Sequence, residues 1–533
     1  MNTMPDTPLT LYGQSFSSRL LLGTSRYPSP AILEAAVRRA QARRVLAHYD
    51  AAKPGRLRKD HTRKNPSPNE LTQRGAVALR NHARYLERNH DITRGVLRTL
   101  VNNVVGATGI GIEPQPRRKD GSIHTEYAAA LRALHRQWCK RPEVTGRLHW
   151  AQAERMLAYT WLRDGEAFAQ QVIGPATGLV HGSAVPYSLE LLEPDFVPIE
   201  YNDPGRGIRQ GVQLNAWGRP TGYLCHKHDP REAGAWVSPA DLKTVPAANM
   251  LHLSTMDRLH QVRGVSEFAS VLTRVEDLKD YEESERIAAK IAASMGAYVK
   301  RIPGPEGYEH PAEGEAEAER TLRMQPGMIF DGLKVGEEIG MIDTNRPNPN
   351  LVSWRSGQLR AYAAGVGASY SSISRDYDGT YSALRQELVE QWVHYAVLTD
   401  DFAGQISLPV YEALVRVAHL SGVLPIPKDV QPGTEAECLL IGQQMPWIDP
   451  LKEAKAWELL AQSGFASEVE IIRRRGGNPR EMLEQITEWR REAQERGLRF
   501  TSDAANAKAA GQTQSTSEPG EEQEEGAGRK SVT

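Results

Sequence analysis

Four short stretches hold the residue types most able to do chemistry. AAGVGASYSSISRDYDGTYSALRQE, from Ala363 to Glu387, packs seryl and tyrosyl hydroxyls densely between a small-residue segment and a charged amphipathic one. Hydroxyls this dense suit either an active site or a surface that something polar slides across. HKHDP (His226 to Pro230) offers His226, His228 and Asp229 as metal ligands. Strand alternation would put both histidines on one face. No second ligand cluster is visible, so a solvent-facing hairpin competes with a metal site. RRRGG (Arg473 to Gly477) suits phosphate, but such a cluster more often sits at the C-terminal end of a helix, where cations complement the dipole. GATGIGIEPQP (Gly106 to Pro116) has the glycines of a dinucleotide site but not the spacing, and its order is helix then strand. Gly-x-Ser-x-Gly, Walker A and His-Glu-x-x-His are absent, and no carboxylate pair stands out from the many on the helices. No catalytic residue set, cofactor site or metal site is expected from these motifs.

Elements must position those residues, and length and composition bound them. The chain has 533 residues, enough for several domains, and 40% are hydrophobic, which supports substantial cores. The formal charge of −1 gives no global nucleic-acid signature. The distribution is uneven, however. Residues 38–64 hold ten Lys and Arg against two Asp, a local charge of +8 that suits phosphate, an acidic partner or a solvated arm. The three cysteines (Cys139, Cys225, Cys438) lie far apart, which fits a reducing compartment and neither a zinc site nor a disulfide framework. No run approaches the ~18–20 apolar residues that span a membrane. The N-terminus lacks the basic-then-apolar order of a signal peptide. A cytoplasmic site of synthesis and no membrane partner are therefore expected.

Periodicity places the elements of an α+β protein. Apolar residues at helical steps across 69–105 read as two amphipathic helices, and 123–171 is again helical before it turns into a strand. Short strands alternate with turn signals to about residue 255. A long helix is expected from Ser266 to Lys300, near ~50 Å in length, with an acidic middle that includes Glu282, Glu283 and Glu285. A Pro- and Gly-rich break follows, then a short β-rich module, GMIFDGLKVGEEIGMI. Further helices are expected at 352–366, 382–403 and 409–421. In 450–496, Asp449 is a plausible cap before Pro450, with Gly464 at the helix end. From about Thr501 the composition cannot bury enough apolar surface to order itself.

Six segments, in order, resemble the lambda-type family of tailed-phage portal proteins from about Tyr49 to Leu498. They are YDAAKPGR; RNHARYLERN with VNNVVGATGI; LELLEPDFVP with GIRQGVQLNAWGRPTGYLCHKHD; NMLHLSTMDRLHQVRGVSEFASV; YAAGVGASYSSISRDYDGTYSALRQELVEQW, the most specific; and WIDPLKEAKA with SGFASEVEIIRRRGGNPREMLEQI. The resemblance implies a structural, non-enzymatic subunit of a ring of about a dozen copies at one capsid vertex of the virion. Double-stranded DNA would pass through the ring without regard to sequence. The implied partners are the terminase large subunit, then the head-tail adaptor, with major capsid or scaffold protein. The implied parts are an α+β wing (41–265), stem helix 1 (266–300), a clip (301–351), stem helix 2 (352–370), a tunnel loop (371–381), the wing's long helix and return (382–448), a helical crown (449–498) and a disordered tail (499–533).

On this resemblance the hydroxyl-rich stretch is a sliding surface. Each phosphate neutralised by Lys or Arg adds affinity, and a channel must not grip its DNA. Gly367 and Gly379 would let the loop flex. The alternative is that its Ser and Tyr only cap helices and pack the wing. Channel-lining candidates are Ser371, Ser372, Ser374, Arg375, Tyr377, Asp378 and Thr380, with Glu283, Arg286, Lys290, Lys300 and Arg301 on the stem side. The basic positions Lys290, Lys300 and Arg301 suit pairing with a neighbouring subunit as well. Residues 11–39, LYGQSFSSRLLLGTSRYPSPAILEAAVRR, resemble instead the opening of thiazole synthase, a (β/α)8-barrel enzyme. One strand and one helix cannot close a barrel, so residues 1–40 are expected to be an inert appendage. The rival functions are another phage capsid or DNA-handling component, and a thiazole synthase-like enzyme.

Overall fold

The computed structural model describes residues 9–11, 14–16, 66–232, 241–293, 297–301, 337–341, 348–445 and 449–498. The basic stretch at 38–64, the tail from 499 and most of the expected clip lie outside the described residues. The chain divides into two units, 1–71 and 72–533. In the first, β1 (Leu9–Leu11) pairs antiparallel with β2 (Gln14–Phe16), Leu9 opposite Phe16. A tight two-strand pair therefore stands where one opening strand was expected.

Helices α1 (Pro68–Asn89) and α2 (Asp91–Val104) meet at His90, whose Nδ1 accepts from the Thr93 N–H at 3.3 Å and caps α2. The buried stripe Val96, Leu97, Leu100, Val101 and Val104 on α2 is the one its 3.6-residue period dictates. The glycine-rich turn leads into β3 (Gly111–Pro114), then α3 (Thr125–Trp138) and α4 (Trp150–Asp164). Helix α4 ends on Gly165, whose φ of 93° is the left-handed conformation that reverses the chain into β4 (Glu166–Ile173). A Cβ here would strike the backbone of Val265 and Ser266.

Strand β4 sits centrally in an antiparallel sheet, between β5 (Tyr187–Leu192) and, from further along the chain, β10 (Met250–Ser254). A second, four-stranded antiparallel sheet has the order β6 (Ile208–Arg209), β7 (Val212–Leu214), β8 (Pro220–His226), β9 (Leu242–Pro246). The two sheets share a small core that includes Phe168, Val212, Tyr223 and Met250.

Helix α5 (Leu272–Ala293) is shorter than the expected Ser266–Lys300. At its start, Ser266 Oγ accepts from the Phe268 N–H at 3.2 Å, and turns carry the chain to Val271. At its far end, Ala297–Arg301 forms strand β11, antiparallel to β12 (Glu337–Met341). The Ala-Tyr-Val-Lys-Arg run carries Tyr and Val, residues that favour strands over helices. Helices α6 (Leu351–Gly365), α7 (Tyr370–Ser374) and α8 (Tyr381–Phe402) follow. A π-helical turn (Ala403–Ser407) joins α8 to α9 (Leu408–Leu420).

Strand β13 (Cys438–Ile441) returns to pair with β3, Ile441 opposite Gly111. The chain ends in α10 (Pro450–Gln462), α11 (Glu468–Arg474) and α12 (Pro479–Glu495). One main core collects α2, α4, the first turns of α5, α6, α8 and α9 around Trp138, Trp161, Phe268, Tyr362 and Phe402. No helix among the described residues is long and apolar enough to cross a membrane.

Candidate functional site

Helices α5 and α6 form an antiparallel pair. Arg274 Nη1 donates to Gln358 Oε1 at 2.7 Å, and Arg355 Nε donates to Glu282 Oε1 at 2.6 Å. Tyr281 and Trp354 pack with ring centroids 4.3 Å apart, and Asn348 donates to the Tyr281 hydroxyl. As the number rises on one helix it falls on the other. The first half of α5 is rooted in the core through Leu272, Val275 and Leu278, each no more than 2% exposed. Its far half is exposed at Glu283, Arg286 and Lys290, which share one face by their three- and four-residue steps. Lys300 and Arg301 are not on this helix. On β11 they stand opposite Glu338 and Glu337 in the strand register.

The hydroxyl-rich stretch divides in two. Its first half is folded inward. Ser369 caps α7 by accepting from the Ser372 N–H at 3.2 Å, and its Oγ lies 2.8 Å from Gln391 Oε1 on α8. Ser372 Oγ donates to the same Gln391 oxygen at 3.0 Å, and Gln391 donates to the Tyr395 hydroxyl. Ser371 is buried, and its N–H donates to Glu387 Oε1. Ser374 Oγ donates back to the Tyr370 carbonyl at 2.7 Å. These hydroxyls cap α7 and lock it to α8.

The second half, residues 375–380, is exposed throughout. It carries Arg375, Asp376, Tyr377, Asp378 and Thr380, a net charge of −1. Arg375 has φ 59° and reaches back to Thr99 Oγ1 at 3.2 Å, which ties its guanidinium to α2. Thr380 caps α8 through the Ala383 N–H. Gly367 has φ 64°, and a Cβ there would strike the His394 ring. Its part is close packing at a helix end. At Gly379 φ is not positive, and the nearest atom to an added Cβ is Leu384 Cγ at 3.5 Å.

One highly connected buried polar group gave no signal in the sequence. Glu166, fully buried, accepts from Arg263 Nε and Nη2, Arg80 Nη2, His252 Nε2 and the Gly264 N–H at 2.7–3.3 Å. Arg263 also donates to the carbonyls of Val197, Gln210 and Pro194. Burial alone would raise the Glu166 pKa, but Arg263 and His252 overcome it and hold the carboxyl far below the usual range. Next to it, Arg84 pairs with Asp164 at 2.6 Å and Asp195 at 2.7 Å, and Arg80 and Arg231 also reach Asp195. The cluster joins α1 and α4 to β4, β10 and the loop after β5. Its centre, Glu166 and Arg263, is closed to solvent, while Arg231 at its rim is exposed, so its arrangement suits holding the sheet.

Other candidate chemistry is spent inside the fold. His226 closes β8 and is buried, whereas His228 and Asp229 lie beyond the strand end, so the two histidines do not share one strand face. Among the described residues no group of three or more His, Cys, Asp or Glu is placed to hold a metal. Arg473 makes two bonds to Glu113, and Arg474 pairs with Glu470 and lies over the Trp457 ring. A cavity of about 330 Å³ is lined by His135, Cys139, Arg132 and His149. Cys139 Sγ is 3.4 Å from His135 Nε2, the arrangement of a nucleophile beside its base. Burial pushes the histidine down to about 4 and the thiol well up, so the pair stays neutral and unreactive.

Residues 54–398 match the family model for phage portal protein, lambda family. The chain is 24% identical over 427 residues to a probable portal protein of Halomonas phage phiHAP-1, covering 77% of this chain and 79% of that one. It is 23% identical to Portal protein B of Escherichia phage lambda, covering 59% of this chain and 64% of that one. A third similarity is short: 65% identity over 46 residues to thiazole synthase of Paracidovorax citrulli, 9% of this chain and 17% of that enzyme. Among solved structures, the neck of an empty gene transfer agent particle aligns with a TM-score of 0.41 and 14% identity, over 78% of this chain and 95% of that one.

Proposed function

This chain belongs to the lambda family of phage portal proteins, a structural portal subunit, and from that premise we propose that its copies close into a ring of about twelve at one capsid vertex of the virion. Double-stranded DNA enters and leaves through the central channel. The ring docks the terminase large subunit during filling and a head-tail adaptor afterwards, and it meets major capsid or scaffold protein at its rim. The family match across 54–398 carries this reading, because it takes in the wing, both helices of the α5–α6 pair and the hydroxyl-rich stretch.

Within the ring, α5 and α6 are the stem, the residues between them the clip, 375–380 the tip of the tunnel loop, and α10–α12 the crown. The exposed, slightly acidic tip fits a channel that keeps DNA mobile, since it adds no net positive charge to bind phosphates. Glu283, Arg286 and Lys290 face either the channel or the neighbouring stem. The inward hydroxyls of Ser371, Ser372 and Ser374 support the channel wall by fixing α7 to α8. The thiazole synthase-like segment, about a sixth of such an enzyme, is an inert appendage.

Electron microscopy of the purified full chain tests this. End-on views should show closed rings with a hole about as wide as a duplex, and side views a protruding stem. Monomers or dimers at every salt and protein concentration would refute it.

A further inference from the structure

Two exposed surfaces of the subunit set apolar side chains among charges of opposite sign. The first is one end of the four-stranded sheet. The turn between β7 and β8 is fixed by Asn215, whose Oδ1 accepts from the N–H groups of Trp217 and Arg219, both at 2.9 Å, while its carbonyl accepts from the Gly218 N–H at 3.0 Å. Gly218 has the left-handed φ of 78° that closes the turn. Trp217 is held outward on it, 93% exposed. The Leu214 N–H donates to the Gly207 carbonyl, which brings Arg206 beside the base of the turn. Residues 204–220 contain three arginines, Arg206, Arg209 and Arg219, and no carboxylate. All three are exposed, and none forms an ion pair among the described residues. The second surface is the outer side of α8. That helix buries Gln391, Tyr395, Leu398 and Phe402, yet Val389, Val393 and Val397 recur every four residues on its other side and are 39%, 65% and 56% exposed. Glu390 and Asp400, exposed as well, stand three residues from Val393 and Val397 on that same side. Neither forms an ion pair among the described residues, and the nearby Arg385 is taken by Glu453 at 3.8 Å.

We infer that the Trp217 turn of one copy seats on the valine side of α8 in the next copy, with Arg206 and Arg219 against Glu390 and Asp400. The inference rests on the ring reading above. Charge selects the occupant. Each surface is apolar with charges of one sign around it, and the two signs are opposite, so each complements the other and neither complements itself. A ring contact joins unlike patches of neighbouring copies, and this chain carries such a pair. Trp and Arg are also the side chains that most often anchor protein contacts. A nucleic acid would answer the arginines alone. It would leave the valines and their carboxylates uncovered, and free cations repeated on every copy would grip DNA.

The test is a charge swap in the full chain, read by mass photometry against concentration. Arg206→Glu with Arg219→Glu sets like charges across the contact, and so does Glu390→Arg with Asp400→Arg. Each double variant should need about tenfold or more protein for half-assembly. Mixing the two in equal amounts should bring that concentration back to within about threefold of the parent's, since alternating copies meet with opposite charge again. Trp217→Ala, which changes no charge, should also raise it by about tenfold or more. All five side chains are exposed, so the dissociated variants should keep the parent's circular dichroism and melting profile; Trp217→Ala reads the contact should a charge variant fail to fold. Rings from the variants at the parent's concentration, or weakened variants that mixing does not restore, would overturn the inference and leave the ring standing. Loss of duplex binding by Arg206→Glu with Arg219→Glu, at unchanged assembly, would overturn it in favour of a nucleic acid at the hairpin. An unaltered chain that never forms rings refutes the ring reading itself, and this inference with it.

Discussion

Replacing Arg263 by Met removes the guanidinium that neutralises a fully buried carboxylate. Glu166 would keep only Arg80 at 3.3 Å, His252 at 3.0 Å and the Gly264 N–H. Breaking one partner of a buried pair costs about 3–5 kcal/mol, because the charge left behind is uncompensated. The carbonyls of Val197, Gln210 and Pro194 lose a donor in the same step, which places the effect toward the top of that range. Urea unfolding of the dissociated chain, followed by tryptophan emission, should show the midpoint falling by about 1.5–2.5 M for a slope of ~2–3 kcal/mol/M.

The pH dependence carries a sign as well. In the parent the folded Glu166 pKa is depressed, so its contribution is present above the ordinary carboxylate pKa and is lost as pH falls through the folded value. In the variant, burial dominates and raises that pKa, so the deficit narrows as pH falls toward 5. Adding Glu166→Gln to the variant removes the stranded charge and should recover part of the loss. A loss below about 1 kcal/mol, or a double variant no better than Arg263→Met alone, would refute the claim that this pair holds the sheet.

Three further outcomes follow from single sites. Burial pushes Glu154 up to about 8, even though it accepts from the Ser407 hydroxyl and the Ile110 N–H. A raised folded pKa contributes stability at acid pH that is lost as pH rises through that value. Glu154→Gln should therefore be close to neutral near pH 5, and the parent should fall relative to it by on the order of 1 kcal/mol per pH unit up to pH 8, measured by urea unfolding. Gly367→Ala should cost about 2 kcal/mol or more, from its left-handed φ and the collision with His394. Gly379→Ala should stay within about 0.5 kcal/mol, and melts of the two proteins, compared side by side, check both. Asp376→Lys with Asp378→Lys adds cations to each copy of the exposed loop. Assembled rings of that variant should bind a short duplex more tightly than the parent, with a steeper salt dependence; equal binding would remove the loop from the channel.

Local rules made the helices legible. The periods across 352–366, 382–403 and 409–421 fall within a residue of α6, α8 and α9 at each start. Asp449 caps α10 by accepting from the Lys452 N–H, with Pro450 behind it, as those residue types dictate. What the sequence hid depends on distant partners. Arg263 sits in a loop with no periodicity, and its carboxylate is 97 positions away. Ser369 and Ser372 look like surface hydroxyls until Gln391, nearly three turns into α8, receives them. Helix α5 stops short of Lys300 because the strand after it is defined by Glu337–Met341, which a local period cannot see.

The same distances account for a protein with 65 basic residues whose loop tip is not basic. Arg80, Arg84 and Arg263 are buried on carboxylates; Arg132, Arg136 and Arg473 are held by Glu484, Glu481 and Glu113; Arg375 is turned back onto Thr99. Each pairing fixes one element to another, and the buried ones take a guanidinium away from a passing phosphate. On the proposed function, the subunit needs cations to knit a sheet-and-helix wing firmly, yet it must not hold DNA by many contacts at once. Placing Arg80, Arg84 and Arg263 inside, against carboxylates contributed by other elements, meets both requirements with one set of side chains.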